Sequence, residues 1–224
     1  MSRGAALSLI SEVCAEQWGM ITAGQARRLG VSRVDLNRLV SDGSVMPAIE
    51  ASRVYRLAGA PSDPDLDALR AAWLQLGGSL FWEERWSGDP TGGTGRSGGG
   101  GQPDAVVSHR SAAHACGLGD LIPDRHEFYV LRRHRPRRDD LRLRVDSKPD
   151  WASWRGLPVT TVARTIADLL DAGEDESGVA GVVRDARHDG LLTDGALREA
   201  VGQRHRVYGR RTPDELFAAL TGER

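Results

Sequence analysis

Apolar positions in the first sixty residues recur at a helical period that breaks twice, and each break carries a turn signal. Leu7, Ile10, Val13, Cys14 and Trp18 share one face of a helix predicted over Ala5 to Trp18. Thr22 is placed to cap a second helix running to Leu29, with the small Ala26 inside it. Gln25 stands there where an apolar residue is more usual. Gly30 suits a C-cap with positive φ, Val31 supplies an apolar plug, and Ser32 caps a third helix from Arg33 to Asp42. That helix buries Leu36, Leu39 and Val40 and stops at Asp42-Gly43. Val45 to Glu50 and Val54 to Leu57 then alternate as two strands around Ala51-Ser52-Arg53. Small residue, Gly, plug and paired leucines at these offsets predict a helix-turn-helix, and the hairpin after it a wing.

Beyond this stretch the pattern changes. Ala60-Pro61-Ser62-Asp63-Pro64 breaks the chain, and Asp65 to Leu76 reads as a helix on Leu66, Leu69, Trp73 and Leu76. Ser87 to Asp104 contains eight glycines and is expected to act as a flexible tether. Leu80 to Trp86, just before it, carries Phe81, Trp82 and Trp86 and is expected to dock on the domain surface. Ala105 to Val107 reads as a strand and Ser108 to Ala115 as a capped helix. Glu127 to Leu131 and Leu141 to Val145 alternate as the strands of a hairpin with Asp139-Asp140 at its turn. Helices follow over Val162 to Leu170, Glu176 to Asp189 and Thr193 to Val201, and a last one opens on Thr212-Pro213. The predicted class is α+β, with an N-terminal winged helix-turn-helix over residues 1–60 and a mixed α/β domain over 61–224.

Composition narrows this. At 40% hydrophobic residues and with no long apolar run, the chain reads as a globular cytoplasmic protein without a membrane partner. Met1 to Ile10 lacks the form of a signal peptide. Cys14 and Cys116 sit in separate apolar stretches and read as reduced core residues. His109 and His114, five apart and without an accompanying acid or cysteine at ligand spacing, read as packing or capping groups, and no cofactor or metal is expected.

Charge is distributed unevenly. The net value is −1, yet residues 1–60 carry +2 and residues 107–164 carry +5, with −4 in each remaining segment. A nucleic-acid contact is therefore expected to be local and sequence-directed. On the third helix Ser32, Arg33, Asn37 and Arg38 are donor-rich candidates for base edges, with Arg53 and Arg56 on the wing. A possible second basic surface gathers Arg132, Arg133, Arg135, Arg137, Arg138, Arg142 and Arg144 within thirteen residues.

Three pieces in order, ITAGQARRLGVSRVDLNRLVSDG, AVVSHRSAAHACGL and RGLPVTTVARTIADLL, resemble the AbiEi-type antitoxins of type IV toxin–antitoxin systems. The resemblance covers most of residues 18 to 200. It implies a non-enzymatic repressor that binds inverted repeats in double-stranded DNA at its own promoter. It also implies neutralisation of a cognate nucleotidyltransferase toxin, without a stable complex being required. Recognition-helix positions carry over onto Ser32, Arg33, Asn37 and Arg38. The operator sequence, the toxin and the oligomeric state stay open.

An enzymatic alternative rests on Asp124 after Pro123 and on Asp146-Ser147-Lys148. These fit the loose PD…DxK pattern of Mg²⁺-dependent nucleases, in which two carboxylates hold the metal and a lysine orients water. Lys148 is the single lysine of the chain.

Overall fold

The computed structural model describes residues 1–49, 53–87, 101–132 and 138–223 as a mixed α+β protein in two compact units. The first unit takes the described residues through Ser87 together with 101–104, and the second takes 105–223.

In the first unit, Ser2 caps helix α1 (Arg3–Glu16), whose buried side is Ala6, Ile10 and Cys14, one residue per turn. Trp18, expected on that helical face, lies past the helix end at φ 56° and meets Trp73 edge-on at 6.0 Å. A three-residue strand, β1 (Met20–Thr22), follows. It is buried along its whole length and so carries no period-two alternation that could mark it. Helices α2 (Ala23–Arg28) and α3 (Arg33–Ser41) come next, then strands β2 (Val45–Pro47) and β3 (Val54–Leu57). The sheet runs β1-β3-β2, antiparallel throughout, with Ile21 opposite Tyr55 and Met46 opposite Arg56. Gly30 adopts φ 79°, which lets the Val31 N–H reach back to the Ala26 carbonyl and drives Val31 into the core beside Leu36 and Leu39.

The polar Gln25 has a structural reason. Thr22 and Gln25 form a reciprocal capping box at the start of α2. The Gln25 amide also exchanges hydrogen bonds with Gln17 and donates to the Leu80 carbonyl at 2.7 Å. A fully buried amide is tolerated because its donors and acceptor are occupied.

This unit extends beyond the boundary expected at residue 60. Helix α4 (Asp67–Gly77) buries Leu69, Ala72 and Trp73, and a 3-10 turn (Trp82–Arg85) brings Arg85 over the Trp73 ring at 3.4 Å. Asp104 takes the Arg85 guanidinium at 2.9 and 2.7 Å, and the Arg85 side chain is fully buried. Strands β4 (Trp86–Ser87) and β5 (Gln102–Pro103) pair antiparallel. The ends of the expected tether are therefore ordered, while residues 88–100 lie outside the described residues. The aromatic stretch packs locally, with Trp82 and Trp86 rings 5.0 Å apart and Phe81 under the Arg28 guanidinium at 4.5 Å.

The second unit is built on strands β6 (Ala105–Val107), β7 (His126–Val130), β8 (Leu141–Val145), β9 (Trp151–Trp154) and β10 (Leu157–Thr160). They form one sheet in the order β8-β7-β6-β10-β9. Strands β7 and β8 run parallel, with Phe128 beside Leu143, so the expected hairpin is corrected to a parallel pair. Period-two alternation marks a strand but is the same for either direction. Helix α5 (His109–Ala115) follows β6, and α6 (Val162–Asp171), α7 (Glu176–His188), α8 (Asp194–Val201) and α9 (Pro213–Thr221) follow the sheet. Ile166, Leu169, Val182, Leu197 and Phe217 belong to their common core. Thr161, Asp175, Thr193 and Thr212 cap α6 to α9 through their side chains.

Candidate functional site

Two arginine-bearing surfaces, one in each unit, are the candidates. The first is the outer side of α3. With Leu36 and Leu39 buried, Arg33, Val34, Asn37, Arg38 and Ser41 lie on the opposite side of the helix. Arg33, Asn37 and Arg38 are exposed, the Arg38 side chain by 71%. Its nearest carboxylate, Asp35, is 3.5 Å away. Val34, which the donor-directed reading of the sequence passed over, is 59% exposed.

Ser32 has a different role. Its hydroxyl accepts from the Asp35 N–H at 3.1 Å and donates to the Asp35 carboxylate at 2.7 Å. That hydrogen bond holds the Asp35 carboxyl below its ordinary pKa. Ser32 therefore sets the start of α3 and is not a free donor.

The wing candidates separate. Arg53 is exposed, and its carbonyl accepts from the Ala23 N–H at 2.9 Å, tying β3 to the start of α2. Glu50, Ala51 and Ser52 lie outside the described residues. Arg56 is corrected: it is 7% exposed, ion-paired to Asp67 and donating to the Pro61 carbonyl. Position 56 alternates with Tyr55 and so faces α4, where Asp67 in the first turn is its partner.

In the second unit, three of the four described arginines of the block are answered by acids. Arg138 pairs with Asp140, and Arg142 and Arg144 both reach Oε1 of Glu127, at 3.4 and 2.9 Å. Arg132 is exposed, and Arg133, Arg135 and Arg137 lie outside the described residues. The expected broad basic surface is accordingly reduced at three of its seven members.

Glu127 is the centre of this arrangement. Its side chain is 3% exposed, and its Oε2 accepts from the Arg110 N–H at 3.0 Å at the start of α5. Beside it lies a cavity of about 220 Å³ walled by Arg110, Arg142, Arg144, His109, Glu174 and Leu169 among others, with the exposed Asp124 also lining it. Arg110 forms a two-pronged pair with Glu174. His109 sits at φ 53°, a conformation rare for a side chain of its size, with Nδ1 3.0 Å from the Ser108 hydroxyl and its ring against Tyr129 at 5.5 Å. Burial, reinforced by Arg144, Arg164 and Arg142, pushes the His109 pKa down to about 3, so the ring is neutral. His114, by contrast, is exposed.

The residues of the nuclease alternative are divided. Asp124 lines the cavity. Asp146 accepts from the Lys148 backbone N–H at Oδ1, 2.9 Å, and from Arg164 at Oδ2, 2.7 Å. Arg164 also pairs with Asp168, which accepts from the Tyr129 hydroxyl at 2.8 Å. Both Asp146 oxygens are thus engaged within the protein, and neither Asp146 nor Lys148 lines the cavity. Among the described residues no group of three or more His, Cys, Asp or Glu is arranged to hold a metal ion. Cys14 and Cys116 are pushed up to about 12 by burial, which leaves both as inert thiols. No described helix is long and apolar enough to cross a membrane.

The chain matches no protein-family model and no curated protein sequence. It is similar to a crystal structure of the RV2827C protein from Mycobacterium tuberculosis, at 12% identity over 99% of this chain and 82% of that one, with a TM-score of 0.48.

Proposed function

We propose that this chain is a DNA-binding transcriptional repressor whose first sixty residues form a winged helix-turn-helix, and that it serves as the antitoxin to a nucleotidyltransferase toxin. The observation that carries the DNA reading is the outer side of α3. It offers Arg33 and Asn37, together with an Arg38 that is 71% exposed and only 3.5 Å from Asp35, on a helix capped at its first turn and flanked by the β2–β3 arm. Arg can take guanine O6 and N7 together, and Asn can take adenine N6 and N7, from a helix lying in the major groove. Arg53 on the arm is placed for a phosphate contact, which positions without specifying. The antitoxin reading is supported by the three-piece resemblance, which runs from the helix-turn-helix through α5 to α6.

The test is binding of the full chain to a duplex from upstream of its own gene, measured by fluorescence anisotropy against a scrambled duplex. Arg33→Ala is expected to cost roughly 1–3 kcal/mol on the cognate duplex and to relax preference at one base pair. Equal losses on both duplexes would reject the assignment. Co-expression with a neighbouring nucleotidyltransferase gene tests the second half, and persistent growth arrest would reject it.

A further inference from the structure

The cavity beside Glu127 has donors that the protein leaves unused. Among the described residues, Arg142 and Arg144 each spend one guanidinium nitrogen, Nη1, on Glu127, and their Nε and Nη2 groups have no acceptor. The two side chains are 44% and 31% exposed, so these groups are reachable from solvent. One buried carboxylate therefore answers two cations, while the third, Arg110, is matched by Glu174. The lining thus holds three arginines and three carboxylates, of which Asp124 stands exposed to solvent while Glu127 and Glu174 are committed to the arginines. After burial, Arg144 and Arg142 of this lining, with Arg164 outside it, lower the His109 pKa further.

We infer that this cavity binds a phosphate group, carried by a small monoester or as free phosphate, on the unused Arg142 and Arg144 donors. The fork of a guanidinium matches two phosphate oxygens, and two such forks on alternate residues of one strand lie on the same face of β8. Size favours a small ligand. About 220 Å³ is below the roughly 300–1,000 Å³ of pockets that enclose drug-sized molecules. His109, neutral and lining the cavity, gains an anion beside it when the site fills. This site goes beyond the DNA and antitoxin reading and does not depend on it.

The full chain is titrated with inorganic phosphate and, separately, with ribose 5-phosphate, at ionic strength held constant with sodium chloride, by calorimetry and ³¹P NMR. Saturable one-to-one binding is expected, weakened about tenfold or more in Arg142→Gln, whose native contact to Glu127 is long. Tighter binding of ribose 5-phosphate identifies a monoester as the source, and equal binding identifies free phosphate. The imidazole signals of His109 provide a second reading, with its pKa rising when the site is filled. Should Arg142→Gln fold poorly, Arg142→Lys keeps the charge, loses the fork, and is expected to weaken binding in the same direction. Uptake that never saturates, affinity unchanged in both variants, or an unmoved His109 would overturn the inference.

Discussion

Arg33 and Arg144 are both arginines on short elements rich in cations, yet their surroundings are opposite. Arg33 stands on the outer side of α3, exposed and with no close carboxylate. Arg144 stands on β8 with Glu127 at 2.9 Å, and Glu127 is itself buried and hydrogen-bonded to the start of α5. The first side chain contributes little to the fold and is free for a partner. The second ties β8 to Glu127 of β7, and only its remaining donors face outward. Charge counted along the chain does not distinguish these roles, because it ignores which acids the fold brings alongside.

Breaking the structural side of this comparison is expected to have the largest effect. Glu127→Ala removes the acceptor shared by Arg142, Arg144 and the Arg110 N–H, and is expected to cost about 3 kcal/mol of unfolding free energy. Denaturant melts measure this, and a loss below 1 kcal/mol would show that solvent replaces the carboxylate at little cost. Arg56→Ala should behave similarly in the first unit, at about 3 kcal/mol, since Asp67 would be left largely buried without its closest cation. If it instead impaired DNA binding alone, the assignment of Arg56 to the interior would be wrong.

Acid sharpens the comparison next. The native state refuses, between about pH 6.5 and 3, the proton that an unfolded His109 accepts, so stability falls as pH drops through that window. The slope from this one group is at most about 1.4 kcal/mol per pH unit. His109→Asn, which tolerates positive φ better, should flatten the dependence of unfolding free energy on pH over that range. An unchanged profile would place the acid sensitivity elsewhere. His126 is lowered by burial in the same sense and remains in the variant as an internal reference.

The smallest expected effect belongs to the proposed reading face. Arg33→Ala should leave stability within about 0.5 kcal/mol of the native chain, as exposed substitutions do. A drop of 2 kcal/mol or more, on the order of the interior arginines, would erase the distinction between the two surfaces.

Much of the first unit was legible along the chain because its signals are local. Thr22 and Ser32 each bond a backbone N–H three residues on, as Thr212 does in the second unit, and Gly30 takes the positive φ that its position after a helix requires. Buried leucines of α3 recur at the spacing of one helical side, and that spacing is written directly in the sequence. The strand β1 was not legible, since three uniformly buried residues have no period. The direction of β8 was not legible either, because alternation carries no polarity.

The sequence by itself therefore determined which stretches are helical and where several of their caps fall, which of their sides are apolar, and which residues on α3 are left facing outward, though not that Trp18 lies past the end of α1. Tertiary structure alone decided which charges distant along the chain meet. It set Asp67 against Arg56, Asp104 against Arg85 nineteen residues away, Glu127 between Arg142 and Arg144, and Arg164 against Asp146. Capping and helical periodicity act over three or four residues and leave their trace in local order. Ion pairing depends on distance in space, and through-space proximity between distant residues exists only once strands have chosen their neighbours.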